Sequence, residues 1–300
     1  MLLTVKQLSK SYGKHHVVKN VSFTLNNNSC IALIGPNGAG KTTILRMLTG
    51  LLNKSNGEIT FHTQKTNDTR SLIGYLPQHP VFYSWMTGEE FLTYSGRLAH
   101  LHKKEAEERT DELLQKVGIS DAKHKRISTY SGGMKQRLGI AQALIHRPPL
   151  IMLDEPVSAL DPIGRREVLT LMEQLKKETT ILFSTHILSD ADEVSDELLL
   201  LHNGQLVESG SIKQLRKKYQ TEKIELQFDG KLENYIENIN KLPHTLASII
   251  VRDTLHVTVS EVNAARNEIM KLVYENKWPL TSFNINQASL EQMFMKVVND

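Results

Sequence analysis

The stretch "GPNGAGKTT", Gly35 to Thr43, combines three glycines, a lysine and two threonines at a spacing suited to phosphate. Gly35, Gly38 and Gly40 let backbone N–H groups turn inward around phosphate oxygens, with Pro36, Asn37 and Ala39 in the same turn. Lys41 would place a point charge on the β- and γ-phosphates, and the Thr42 hydroxyl, followed by Thr43, is suited to Mg²⁺. The stretch follows the apolar "SCIALI" and opens "TTILRMLTGLL". A strand-to-helix junction of this kind is the setting that a phosphate-binding loop requires. Binding of a nucleoside triphosphate is therefore expected.

"LIMLDEP" supplies the matching acids. Four apolar residues lead to Asp154 and Glu155 at a strand's C-terminal end, where α/β sheets bind ligands. Asp154 is expected to hold Mg²⁺, directly or through water, and Glu155 to polarise an attacking water as general base. A second glycine motif, "TYSGGMKQRLGIA", opens a helix with no strand before it. Ser131, Gly132 and Gly133 offer a hydroxyl and free N–H groups at a positive helix end, although a serine there also reads as a helix N-cap.

These residues need a parallel sheet to carry them. "CIALIG", "LIMLDEP" and "TTILFSTH" are apolar enough to be strands buried on both faces. "LLLLHNGQLVESG" reads as a hairpin turning at Asn203-Gly204. After the phosphate loop, Ile44, Leu45, Met47, Leu48, Leu51 and Leu52 are expected to share one helix face. Between Thr87 and Gly118 the pattern is helical, with a capping box at Thr87 and Glu90 and an apolar face at Leu113, Leu114 and Val117. This block defines an expected helical subdomain at about 79–145. The basic "KQLRKKY" closes a first domain at 1–219. Residues 220–300 then run strand, helix, two strands, helix, strand, helix, an order resembling a small α+β ferredoxin-like domain.

Composition narrows the function. With 40% hydrophobic and 23% charged residues the chain reads as a soluble globular protein. Its net charge of +3 is too small to imply a nucleic-acid partner. Counting residues 221–300 gives 8 basic against 11 acidic, a net of −3, so the rest carries +6. The single Cys30 excludes a disulfide framework and fits a reducing compartment. The N-terminus lacks a signal-peptide h-region, and no apolar run approaches the roughly 18 residues of a membrane helix. A membrane role would have to come through a partner.

The succession "GPNGAGKTT", "YLPQ", "YSGGMKQR", "LIMLDEP", "SALD" and "STH" resembles the ATP-binding subunits of ABC transporters over residues 1 to about 220. Tyr130 and Met134 stand where the family pattern has leucine and glutamine, and both look like the drug- and antibiotic-export branch. The ending "INQASLEQMFMKVV" is similar to the terminal segment of the same branch. The resemblance implies an α/β ATPase domain with a mixed sheet, ATP and Mg²⁺ as ligands, and hydrolysis coupled to export. It also implies a head-to-tail dimer in which Ser131, Gly132 and Gly133 close over ATP held by the other subunit, a second copy or a paralogous ATPase.

Further roles carry over by resemblance. Gln78 would contact Mg²⁺ and the water and couple to the permease. His186 would contact the γ-phosphate. Asp161, read from its own context as a helix N-cap before Pro162, would also cross the dimer interface. Tyr12 would stack on adenine. The permease would be a separate membrane protein, holding this chain at the cytoplasmic face. Five of eighteen aromatic residues fall within 82–94, "FYSWMTGEEFLTY", as core or as a groove for a permease helix. A soluble ABC ATPase acting on ribosomes or DNA is the alternative, but such chains usually carry two cassettes or a long coiled coil. A non-hydrolysing nucleotide binder is disfavoured by Glu155 and His186.

Overall fold

A computed structural model describes residues 1–62, 69–219, 222–285 and 290–299. The chain divides into two compact units, Met1–Ile212, which also takes in the chain end from Val297, and Lys213–Lys296. The division falls at the start of the helix Ile212–Tyr219, not at its end, where the basic run suggested it.

In the first unit, β1 (Leu3–Tyr12), β2 (His15–Leu25), β3 (Cys30–Ile34), α1 (Lys41–Leu48) and β4 (Asn56–Phe61) come first. Then follow β5 (Ile73–Leu76), the three helices α2 (Gly88–Leu98), α3 (Lys103–Lys116) and α4 (Gly132–Leu144), and β6 (Leu150–Asp154). The unit ends with α5 (Pro162–Leu175), β7 (Thr180–Thr185), α6 (Leu188–Val194), β8 (Glu197–His202) and β9 (Gln205–Ser211). Six strands form one sheet in the order β5-β6-β7-β3-β8-β9. The first five are parallel and β9 is antiparallel, so the sheet is mixed as expected. Strands β3, β6 and β7 are buried at every residue, which explains their unbroken apolar runs.

A second sheet, antiparallel and ordered β2-β1-β4, covers part of this layer. Between the sheets lie Leu3, Val5 and Phe23 with Ile44 and Leu45 of α1. Each large side chain buried there contributes about 1.5–3 kcal/mol. α1 is shorter than its apolar pattern suggests. It ends at Leu48 because Gly50 turns left-handed, at φ 76°, and Leu51 emerges 68% exposed. The Thr87–Glu90 capping box forms with both of its hydrogen bonds, at 3.2 and 2.8 Å. The β8–β9 turn has Asn203 and Gly204 at φ 49° and 79°, the left-handed pair that a two-residue hairpin requires.

After α7 (Ile212–Tyr219), the second unit contains β10 (Lys223–Phe228), α8 (Glu233–Asn240), β11 (Thr245–Val251), β12 (Thr254–Val259), α9 (Val262–Glu275) and β13 (Leu280–Ile285), with α10 (Leu290–Asn299) at the end of the chain. The strand order β11-β12-β10-β13, antiparallel throughout, is the ferredoxin-like arrangement that the sequence order anticipates. Phe228 is buried and stacks on Tyr235 at 4.3 Å, with Trp278 edge-on at 5.9 Å. This aromatic residue belongs to the core rather than to an open sheet face that could stack bases.

Candidate functional site

The sheet order places the expected residues along one edge. Neighbouring strands β5, β6, β7 and β3 run in parallel. Each leads at its C-terminal end to one component: Gln78 after β5, Asp154 and Glu155 at the end of β6, His186 after β7, and the loop Gly35–Gly40 after β3. Residues as far apart in sequence as Lys41 and His186 therefore meet at the ligand-binding edge of an open sheet.

Local geometry explains the loop composition. A Cβ on Gly35 would lie 2.2 Å from the Leu201 carbonyl oxygen, so no side chain fits there. Gly40 caps α1 at φ 105°, a conformation open to glycine. Lys41 is 5% exposed, and its ammonium donates to the Gly35 and Pro36 carbonyls at 2.8 and 3.1 Å. Burial holds its pKa below the ordinary lysine value, while the charges of Glu155 and Asp154 resist that shift.

Glu155 is the meeting point. Its side chain is 9% exposed, and Oε2 accepts from the Gln78 amide at 3.2 Å. Oε1 lies 3.2 Å from His186 Nδ1 and 3.8 Å from Lys41 Nζ. The residue has φ 49°, a left-handed strain of order 1–3 kcal/mol for a non-glycine residue, and its N–H donates to Ser184 Oγ at 2.9 Å. Such strain is typically held by the surroundings at functional positions. A carboxylate so placed can accept a proton from a water in the cleft.

Asp154 is fully buried. Oδ1 accepts from the hydroxyls of Ser184 at 2.6 Å and Thr42 at 3.0 Å, while Oδ2 meets no donor. The neighbouring Tyr75 phenol is pushed up, first by burial and then by the Asp154 charge. An orphaned carboxylate oxygen beside a threonine hydroxyl is the all-oxygen donor set that a hard divalent cation takes. Mg²⁺ fits these residues. Ser184, which ties Asp154 to Glu155, was not singled out from the sequence, although a serine in the apolar "TILFST" was a signal for it.

The cleft above the loop has a volume of about 510 Å³ and is lined by Lys41, Thr42, Thr43, Gln78 and Glu155, with His15 and Val17 from β2. Tyr12 pairs with His15 across the β1–β2 turn, is 53% exposed and lies under the Lys10 ammonium at 4.9 Å. The β2 residues in this wall lie in no motif that sequence alone singles out.

Ser131 caps α4, accepting from the Met134 N–H at 3.2 Å, and Gly132 and Gly133 have open space where a side chain would be. None of the three lines the cleft at Lys41. Asp161 caps α5 through Gly164 N–H at 3.2 Å, with Pro162 at the first helical position. Tyr130 is buried, and its hydroxyl donates to the Ala122 carbonyl at 2.8 Å in the space left by Gly88. The aromatic run divides. Phe91 is core, touching Phe82 edge-on at 5.2 Å, while Tyr83, Trp85 and Tyr94 are exposed beside Val81, itself 90% exposed.

Comparison with known proteins agrees with this geometry. Residues 18–158 match the family model described as ABC transporter. Residues 210–298 match the C-terminal domain of DrrA1-3-like ATP-binding proteins. The uncharacterized ABC transporter ATP-binding protein YxlF of Bacillus subtilis (strain 168) is 46% identical over 299 residues, covering 99% of this chain and 100% of the relative. The bacitracin transport ATP-binding protein BcrA of Bacillus licheniformis is 32% identical over 304 residues, covering 99% and 97%. A solved ATP-binding subunit of an ABC transporter superposes with a TM-score of 0.65 at 33% identity, covering 73% of this chain and 93% of that one.

Proposed function

The chain belongs to the ATP-binding subunits of ABC transporters, and from that premise we propose that it drives a separately encoded export permease by closing head to tail around two ATP molecules. Its reaction is ATP hydrolysis. The observation that carries the reading is the convergence on Glu155 of Gln78, His186 and Lys41.

In this reading the Gly35–Gly40 backbone and Lys41 hold the phosphates, and Tyr12 stacks on adenine. Thr42 and Asp154 would hold Mg²⁺, with Gln78 completing the set, and the ion would supply positive charge against the charge that develops on the phosphates. Glu155 takes the proton from the attacking water, and its bonds to Gln78 and His186 fix the carboxylate's orientation. His186 in turn faces the γ-phosphate.

Ser131, Gly132 and Gly133 remain for a second nucleotide. Their open N–H groups at a helix start suit phosphate, and they lie outside the chain's own cleft. Asp161 would face the same interface. The exposed Val81, Tyr83, Trp85 and Tyr94 just beyond Gln78 would receive a short helix of the permease. No described helix is long and apolar enough to cross a membrane, so association with the membrane would run through that contact. Names of relatives that transport bacitracin point to antibiotic-like cargo.

A mixing experiment tests closure in trans. Lys41→Ala damages the phosphate loop and spares Ser131, and Ser131→Arg does the reverse. Each variant alone forms two damaged sites, whereas a mixed dimer contains one site built from both intact halves. Fluorescence transfer between labelled subunits should show ATP-driven closure above that of either variant alone. No gain, with both variants folded and exchanging subunits, would remove Ser131 from the partner's nucleotide.

A further inference from the structure

Two consecutive arginines on α5 meet two acids on α6, but in different surroundings. Arg166 and Glu193 touch at 2.5 Å on the surface, with side chains 71% and 38% exposed. Arg165 instead reaches Asp190, which is fully buried. Nε donates to Oδ1 at 2.6 Å, Nη2 contacts the same oxygen, and Nη2 also donates to Ser189 Oγ at 3.0 Å. Burial pushes the Asp190 carboxyl up, and the Arg165 guanidinium opposes that shift. Taking away one partner of such a pair leaves an uncompensated buried group.

The ends of this pair matter more than its strength. Arg165 N–H donates to the Asp161 carbonyl at 2.9 Å, in the first turn of α5. Asp190 N–H donates to the Ile187 carbonyl at 3.2 Å, and Ile187 N–H to Thr185 Oγ1 at 3.0 Å. Between Thr185 and Ile187 stands His186, with Nδ1 at 3.2 Å from Glu155 Oε1. A continuous set of bonds therefore joins the backbone at Asp161 to the loop that holds His186.

We propose that Arg165 and Asp190 are positioning residues that hold His186 against Glu155 and make its placement depend on the Asp161 turn. The idea rests on the ATPase reading above, and adds that contact with a second subunit at Asp161 would be felt at His186 through this pair. Neither residue touches substrate; both act through the histidine. Arg166 and Glu193, on the same two helices, do not share the role.

Asp190→Asn and Arg165→Met should each lower kcat for ATP about tenfold while KM stays within about twofold, the pattern of a lost transition-state interaction. Arg166→Ala should leave kcat within about twofold. In a His186→Ala background, Asp190→Asn should lower the residual kcat no further, since the residue it positions is gone. Thermal melts and binding of a fluorescent ATP analogue identify variants that merely fail to fold. If Arg165→Met does so, Arg165→Lys, which keeps the charge but not the second N–H to Ser189, should show the same kcat loss. A folded Asp190→Asn with normal kcat, an equal loss from Arg166→Ala, or losses additive with His186→Ala would each overturn the proposal. The Glu155→Gln variant separates this from the parent ATPase reading, which fails if that variant turns over normally.

Discussion

The Gln78 amide donates to Glu155 Oε2 at 3.2 Å, joining the end of β5 to the end of β6 across 77 positions of sequence. The contact restrains the one carboxylate in the cleft that is free of hydroxyl donors, and leaves its second oxygen to His186 and Lys41. Both oxygens are thereby engaged, and the carboxylate is held in one orientation.

Hydrolysis should therefore depend on Glu155 far more than binding does. Glu155→Gln keeps the size of the side chain and loses the proton acceptor. ATP affinity should stay close to wild type, because on the proposed reading the loop and Lys41 hold the phosphate, while kcat falls about 10²–10⁴-fold. Parallel measurement of turnover and fluorescent-nucleotide binding checks this. Turnover near wild type would remove Glu155 from the role of base.

Asp154 should govern the metal without holding up the fold. In Asp154→Asn the new Oδ1 can still accept from Ser184 and Thr42, and the amide replaces an oxygen that has no donor to lose. The ligand-free melting temperature should change little. In the wild type, Mg²⁺ with ATP at one hundred times its Kd should add about 2.7 kcal/mol of stability. Asp154→Asn should lose the magnesium-dependent part of that gain, measured as melting with and without a chelator. An undiminished magnesium effect would place the ion elsewhere.

Cys30 should make stability fall at alkaline pH. Its thiol is pushed far above the ordinary 9.0, chiefly by burial and then by the Asp196 charge. Above pH 9.0 the unfolded chain loses the thiol proton and the native chain keeps it, so unfolding is favoured as pH rises. Cys30→Ala should flatten that alkaline slope in denaturant titrations. The native thiol should also resist alkylation until the chain unfolds. Rapid labelling of folded protein would show that β3 opens locally.

The parts that could be read from sequence were those in which chemistry and local pattern coincide. The loop Gly35–Thr43, the acids after "LIML", the Thr87 capping box and the Asn203-Gly204 turn each declare themselves within a few residues, because backbone geometry demands those residue types. The sequence order of the second unit anticipates its ferredoxin-like sheet for the same reason. What could not be read depends on distant segments. β4 joins the β1–β2 hairpin by pairing across some fifty positions, as in Leu3 opposite Phe61. Leu51 fits the apolar period of α1, but the left-handed Gly50 takes it out of the helix. His15 and Val17 reach the cleft only because β2 passes beside the loop. Arg165 meets Asp190 only once α5 and α6 are packed.

The β8–β9 turn has a consequence for anyone who wishes to tag this protein. Exposed two-residue hairpin tips are ordinarily among the safest places to insert an epitope or a fluorescent partner. Here Asn203 is exposed, but the Gly204 carbonyl accepts from Lys19 N–H at 2.8 Å, and a Cβ on Gly204 would strike the Val17 carbonyl at 2.3 Å. Val17 is a wall of the cleft, and Leu201, in β8 two residues before the turn, backs Gly35. An insertion at this tip would push on the nucleotide cleft from behind, and a fusion there would silence the ATPase while leaving most of the fold intact. The α2–α3 connection at His100 lies on none of these contacts and is the better position for a label.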